Sequence, residues 1–297
     1  LPSGAYEQFF LQVGGRSVEV LAAAPSGGLP LVFHPGTPAG LVPYHPLLEQ
    51  AASCGLRCIM YSRPGYGNSD PLPGRQVAQA ATDVAAILDY LGSSSFVTAG
   101  WSGGGPHALA CAALLPGRCL GVATIAGVAP YPAAGLDWLA GMASENIDEF
   151  KTAMAGETEL TALLTVAAAG LAHLTADEMA GAFGELVTAP DRAVLAGEFG
   201  DYLAHATSSA VATGIAGWRD DDLAFISDWG FPIGAVRAPL TVWHGDQDAM
   251  VPLAHGEWLA SQVNGARARV QPGEGHLSLV VHHIDAILAE LATAAPR

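Results

Sequence analysis

Phe96-Val-Thr-Ala-Gly-Trp-Ser-Gly-Gly-Gly-Pro-His107 runs from a strand-like apolar segment straight through Gly100-Trp101-Ser102-Gly103-Gly104 into a helix-like one. A strand-to-helix turn this tight strains the backbone at the serine and leaves no room for side chains at the flanking glycines, so Oγ of Ser102 is held out at the end of a sheet. Pro106 falls in the first turn of the helix, where a missing N–H breaks no intrahelical bond. In a chain rich in Gly and Ala, G-x-S-x-G alone is a modest signal, since a glycine-rich turn can carry an ordinary serine. Its meaning depends on partners elsewhere.

Two further strand ends supply them. Pro239-Leu-Thr-Val-Trp-His244 leads into Gly245-Asp246-Gln247-Asp248, and Arg267-Ala-Arg-Val-Gln271 leads into Gly273-Glu-Gly-His276. The chain order serine, acid, histidine differs from that of the other serine-protease designs and is the order of the α/β-hydrolase arrangement. On these residues the chain resembles the α/β-hydrolase superfamily of serine hydrolases, and within it the small capped esterase and peptidase-like hydrolases of actinobacterial type. The likeness covers both ends of the chain well and the middle poorly.

Two loops extend it. Leu31-Val-Phe-His-Pro-Gly-Thr-Pro-Ala-Gly40 resembles the H-G-x-P loop after the third strand of that superfamily, and Tyr61-Ser-Arg-Pro-Gly-Tyr-Gly-Asn-Ser-Asp70 its R-P-G-x-G-x-S loop after the fourth. The first is read as chemistry and the second mostly as shape. Pro35 and Pro38 have no N–H to offer a developing oxyanion, which leaves Gly36, Thr37, Ala39 and Gly40. Alignment to the family loop selects Thr37, with the amide of Gly103 as its partner. Pro35 departs from the family pattern, and His34 is read as closing a strand end.

The resemblance implies Ser102 as nucleophile, His276 as general base and an aspartate as the third member. The pattern G-x-x-D followed by V-P favours Asp248, with Val251-Pro252 in register, and makes Asp246 a turn-former. It implies hydrolysis of a small carboxylic ester or related acyl compound through an acyl-enzyme, with no cofactor and no metal. Alternatives are an aminopeptidase of the proline-releasing kind, a carbon–carbon hydrolase, and, outside enzymes, a small-molecule receptor on the same fold. Epoxide and haloalkane chemistry is disfavoured, because those relatives carry aspartate where Ser102 stands.

With 297 residues, about half of them apolar, the chain can build one sizeable α/β core plus an insertion. A net charge of −16 argues against nucleic acid and anionic membrane surfaces as partners; the resemblance implies a small-molecule substrate, and oligomeric state is open. Cys54, Cys58, Cys111 and Cys119 are too sparse for a disulfide framework and read as buried thiols, with a Cys54–Cys58 bridge the one pairing conceivable. The longest apolar run, Leu160 to Leu171, is too short for a membrane span, and no signal-peptide pattern opens the sequence. The expected location is cytoplasmic, with a removed leader left open because the sequence begins at Leu1.

Eight strand-like runs appear: 9–13, 17–21, 31–33, 57–61, 96–99, 121–125, 240–243 and 268–271. Val77, Ala80, Ala81, Val84, Ile87, Leu88 and Leu91 recur at helical spacing and stop at Gly92, an amphipathic crossover of the kind that joins parallel strands. The expected fold is a mostly parallel eight-stranded α/β-hydrolase sheet flanked by helices. Core segments 1–129 and 238–297 enclose a helical cap at 130–237. Within that cap Thr175-Ala-Asp-Glu178 is a capping box, and Pro190-Asp191 opens a helix running to about Ser208. Trp101, Trp218, Trp229 and Phe231 are pocket candidates. Asp220-Asp-Asp222 reads as a solvated helix start, and His282 and His283 as solvated helix positions, since adjacent helical residues point in different directions.

Overall fold

The structure of the protein, a computed structural model, describes residues 6–24 and 27–294. The extreme ends of the two expected core segments, 1–5 and 295–297, lie outside the described residues. Eight strands form one sheet in the order β1-β2-β4-β3-β5-β6-β7-β8. They are β1 (Tyr6–Val13), β2 (Arg16–Ala23), β3 (Leu29–His34), β4 (Leu56–Tyr61), β5 (Phe96–Trp101), β6 (Cys119–Ile125), β7 (Leu240–Gly245) and β8 (Arg267–Gln271). β2 pairs antiparallel with β1 and β4; every later pairing is parallel.

The strands at the centre read as continuous apolar runs because both faces are covered: β4, β5 and β7 are buried throughout. Covering them are α1 (His45–Ser53), α2 (Gln79–Tyr90) and α3 (Gly104–Leu114), and beyond β7 and β8, α10 (Leu253–Gln262) and α11 (His276–Ala292). α2 ends where Gly92 turns into the left-handed region at φ 69°, as the sequence spacing predicts.

Between β6 and β7 no strand forms among the described residues. The segment folds into α4 (Ser144–Ala155), α5 (Glu157–Leu171), α6 (Ala176–Ala182), α7 (Ala189–Val194), α8 (Glu198–Val211) and α9 (Ala216–Phe225). The capping box at Thr175 is present: its amide and hydroxyl both meet Glu178 Oε2. The single helix expected from Pro190 to Ser208 is instead two, because Gly197 (φ 125°) breaks the chain between α7 and α8. All four cysteines are free thiols, and Cys54 is only half-buried. Among the described residues no helix is long and apolar enough to cross a membrane.

Candidate active site

Ser102 sits between β5 and α3 with φ 54°, in the left-handed region that a side chain rarely adopts. The turn is held by its amide, which donates to Ile125 O at 2.8 Å, and by the amide of Gly105, which donates back to Ser102 O at 2.9 Å. A Cβ on Gly100 would strike the carbonyl of Gly104, and one on Gly104 the carbonyl of His34, so the pentapeptide has the residues its geometry demands.

His276 opens α11. Its Nδ1 lies 2.8 Å from Asp248 Oδ2; a carboxylate only accepts, so the neutral ring carries its proton on Nδ1 and leaves the Nε2 lone pair free. The other oxygen of Asp248 accepts the amides of Met250 and Val251 at 2.9 and 2.8 Å, which fixes the carboxylate before the histidine arrives. Burial alone would lower the His276 pKa, but the charge and hydrogen bond of Asp248, with a further contribution from Asp191, outweigh it, and the net shift is upward. Asp246, two residues away, is exposed and accepts the amide of Gly273 at 2.8 Å, the turn role expected of it.

Ser102 and His276 both border one cavity of about 400 Å³, together with Thr37 and Gly103. The amides of Thr37 and Gly103 have no protein acceptor among the described residues. The two residues touch, since a Cβ on Gly103 would fall on Thr37 Oγ1. Trp101 borders the same cavity and donates its indole N–H to His276 O at 3.2 Å. Trp218 lines the cavity wall from α9. Trp229 and Phe231 do not: Trp229 donates to Phe225 O at 3.3 Å, its ring centroid 5.9 Å from that of Phe231, and both are core packing.

The acidic run on α9 overturns its sequence reading. Asp220, Asp221 and Asp222 are buried, at 3%, 0% and 1% exposure, not solvated. Asp221 meets Arg63 and Arg75 at 2.7 Å each, and accepts from Thr37 Oγ1 at 2.7 Å and Tyr66 Oη at 3.0 Å. Arg63 in turn donates to Pro35 O at 2.7 Å and Gly36 O at 2.8 Å. The loop of Arg63, read as mostly shape, is therefore half of a clamp on the Thr37 loop. Burial opposes the ionised Asp221, yet the two guanidinium charges win and hold its carboxyl far below the usual range. His107 beside it is kept neutral, its pKa lowered to about 3 by burial first and Arg63 second, and it donates from Nδ1 to Gly103 O at 2.8 Å.

His34 closes β3 as expected and is fully buried there, 3.8 Å from Cys111 Sγ and edge-on to Tyr61. Asp222 and Glu149 both border the cavity; burial first, then the mutual approach of the two carboxyls, raises Asp222 well above the carboxylate range. Trp218 Nε1 donates to Glu149 Oε1 at 2.9 Å. His282 and His283 both meet Glu274, and His282 is exposed on α11 as expected.

A central parallel sheet, a strained serine after its fifth strand and a buried acid–histidine pair after its seventh and eighth describe a hydrolase of the α/β class. The chain belongs to the family whose model, described as the alpha/beta hydrolase fold, matches residues 30–283. It is 28% identical over 258 residues to the pimeloyl-[acyl-carrier protein] methyl ester esterase of Aromatoleum aromaticum, covering 85% of this chain and 90% of that one. To the non-heme chloroperoxidase of Streptomyces lividans it is 35% identical over 133 residues, and the match spans 48% of that protein's length. A hydrolase structure from Pseudomonas aeruginosa superposes with a TM-score of 0.71 at 19% identity, covering 97% of this chain and 98% of that one. The protein is an enzyme of the α/β-hydrolase class.

Proposed function

We propose that the protein hydrolyses a small carboxylic ester or related acyl compound through a Ser102–His276–Asp248 triad. The observation that carries this reading is the 2.8 Å contact of His276 Nδ1 with Asp248 Oδ2 beside a cavity that Ser102 also borders. His276 Nε2 takes the Ser102 proton as Oγ attacks the carbonyl carbon. The amides of Thr37 and Gly103 hold the oxyanion, and Asp248 stabilises the imidazolium. Collapse expels the alcohol, which leaves with the proton from His276. Water then gives a proton to His276 and attacks the acyl-enzyme, releasing the acid and returning the proton to Ser102.

In this reading helices α4–α9, within 130–237, are a cap inserted into the core of 1–129 and 238–297. Their residues Phe150, Leu171, Tyr202 and Phe225 give the cavity an apolar wall suited to an acyl chain. A second reading, an aminopeptidase, draws support from Glu149 and Asp222, because a carboxyl pair in the wall suits a substrate amine. Incubation with a fluorophosphonate and steady-state turnover of short p-nitrophenyl esters test the first reading. Labelling of Ser102 with turnover supports it, labelling without turnover favours a receptor, and preference for aminoacyl p-nitroanilides favours the second.

A further inference from the structure

The first turn of α11 is capped from another part of the chain. Asp191, on α7, is fully buried. Its Oδ1 accepts the amides of Leu277 and Ser278 at 2.8 and 2.9 Å, and its Oδ2 the amide of His276 at 3.2 Å. Thr188 adds its amide and hydroxyl to Oδ2 at 3.3 and 3.1 Å. These donors and the positive end of a 17-residue helix offset the buried charge. The residue preceding His276 is a glycine and cannot cap with a side chain of its own. A Cβ there would meet the Asp191 carboxylate, so Gly275 is the space that the carboxylate fills.

One carboxylate thus binds three consecutive amides beginning at His276, which fixes the backbone from which the imidazole projects. We propose that Asp191 is a positioning residue for the general base, setting the imidazole between Asp248 and Ser102 and adding negative charge that favours the imidazolium. The proposal rests on the triad reading above. The groups facing His276 are Asp248 from the loop after β7, Asp191 from α7 and Trp101 from β5, with His244 on β7 behind Asp248 at 3.5 Å from Oδ2. The pKa of His244 is lowered by burial first, so it adds no charge near neutral pH. Asp191 is then the second negative charge acting on the ring.

The test compares wild type, Asp191→Asn and Asp191→Ser. The serine variant keeps a short helix-capping acceptor without charge, and so keeps the comparison available if the amide of Asn, facing three N–H groups, prevents folding. The rate of Ser102 labelling by a fluorophosphonate and kcat/KM for a p-nitrophenyl ester are followed against pH, with Tm recorded for each variant. The acid limb should move to lower pH by roughly half a unit or more, as loss of a nearby negative charge requires. kcat should fall ~10-fold or more from misplacement of the base, with KM changed less than about threefold. A folded variant whose acid limb overlays that of wild type overturns the proposal and leaves Asp191 a structural cap. Wild type that is not labelled at Ser102 overturns the triad reading and this proposal with it, so the two failures are distinguishable.

Discussion

Ser102, His276 and Asp248 act as a unit in the proposed mechanism, so their losses should not add. Ser102→Ala and His276→Ala should each lower kcat ~10⁴-fold or more, and the double variant should be little worse than either. Retention of more than about a tenth of the activity in Ser102→Ala would remove the serine from the mechanism. The base must be neutral to accept a proton and its pKa is raised, so kcat/KM should fall toward acid through an apparent pKa above the reference value of about 6.5. A profile flat to pH ~4.5 would contradict a histidine base. Asp248→Asn keeps the shape but presents an amide to Nδ1, and kcat should drop ~10⁴-fold. Asp246→Asn should cost about 1 kcal/mol of stability with kcat nearly intact, because the exposed carboxylate only serves a turn; urea midpoints and kcat for both variants decide the assignment. The positions of these candidates were legible in the chain because each lies just past a strand and within a local motif. Asp221 was not. Its meaning comes from Arg63, 158 positions away in sequence, and three consecutive aspartates on a helix look solvated until that partner is placed.

Among the elements, the strands were the most legible. All eight predicted runs are strands, most of them extended by one to three residues where the ladder continues past the apolar stretch. The helices between β6 and β7 were legible as helices but not in their breaks, because Gly197 looks like any mid-helix glycine until its φ of 125° separates α7 from α8. What those helices do depends on reach: α9 brings Asp221 to two arginines and α7 brings Asp191 to α11. Asp221→Asn would leave Arg63 and Arg75 buried with a neutral partner. It should destabilise the protein by about 3–5 kcal/mol, the range seen when one side of a buried ion pair is removed. kcat should fall as well, since Thr37 Oγ1 loses its charged anchor. A shift in urea midpoint worth less than ~1 kcal/mol would show that the clamp carries no more than an exposed pair does.

Several ionisable groups are buried in the folded protein, and these contribute to its response to acid. His107 is neutral in the folded protein down to a pKa of about 3, while in the unfolded chain it titrates at about 6.5. Between those values the unfolded state binds more protons. The contribution of His107 to stability is therefore whole above about pH 6.5 and declines as pH falls, by up to ~1.4 kcal/mol per pH unit. The stability lost between pH 7 and pH 4.5 should accordingly shrink in His107→Gln, as read from urea midpoints at the two pH values; an unchanged loss would mean that His107 titrates normally. The Asp221 clamp also bears on how such a protein can be re-engineered. A foreign segment grafted between β6 and β7 would strand two buried guanidinium groups and uncap α11 unless it brought equivalents of Asp221 and Asp191. If the cavity binds substrate as proposed, its range can be redesigned by point changes along α4–α6, which line it, whereas wholesale exchange of the segment between β6 and β7 would have to rewrite Arg63, Arg75 and Gly275 at the same time.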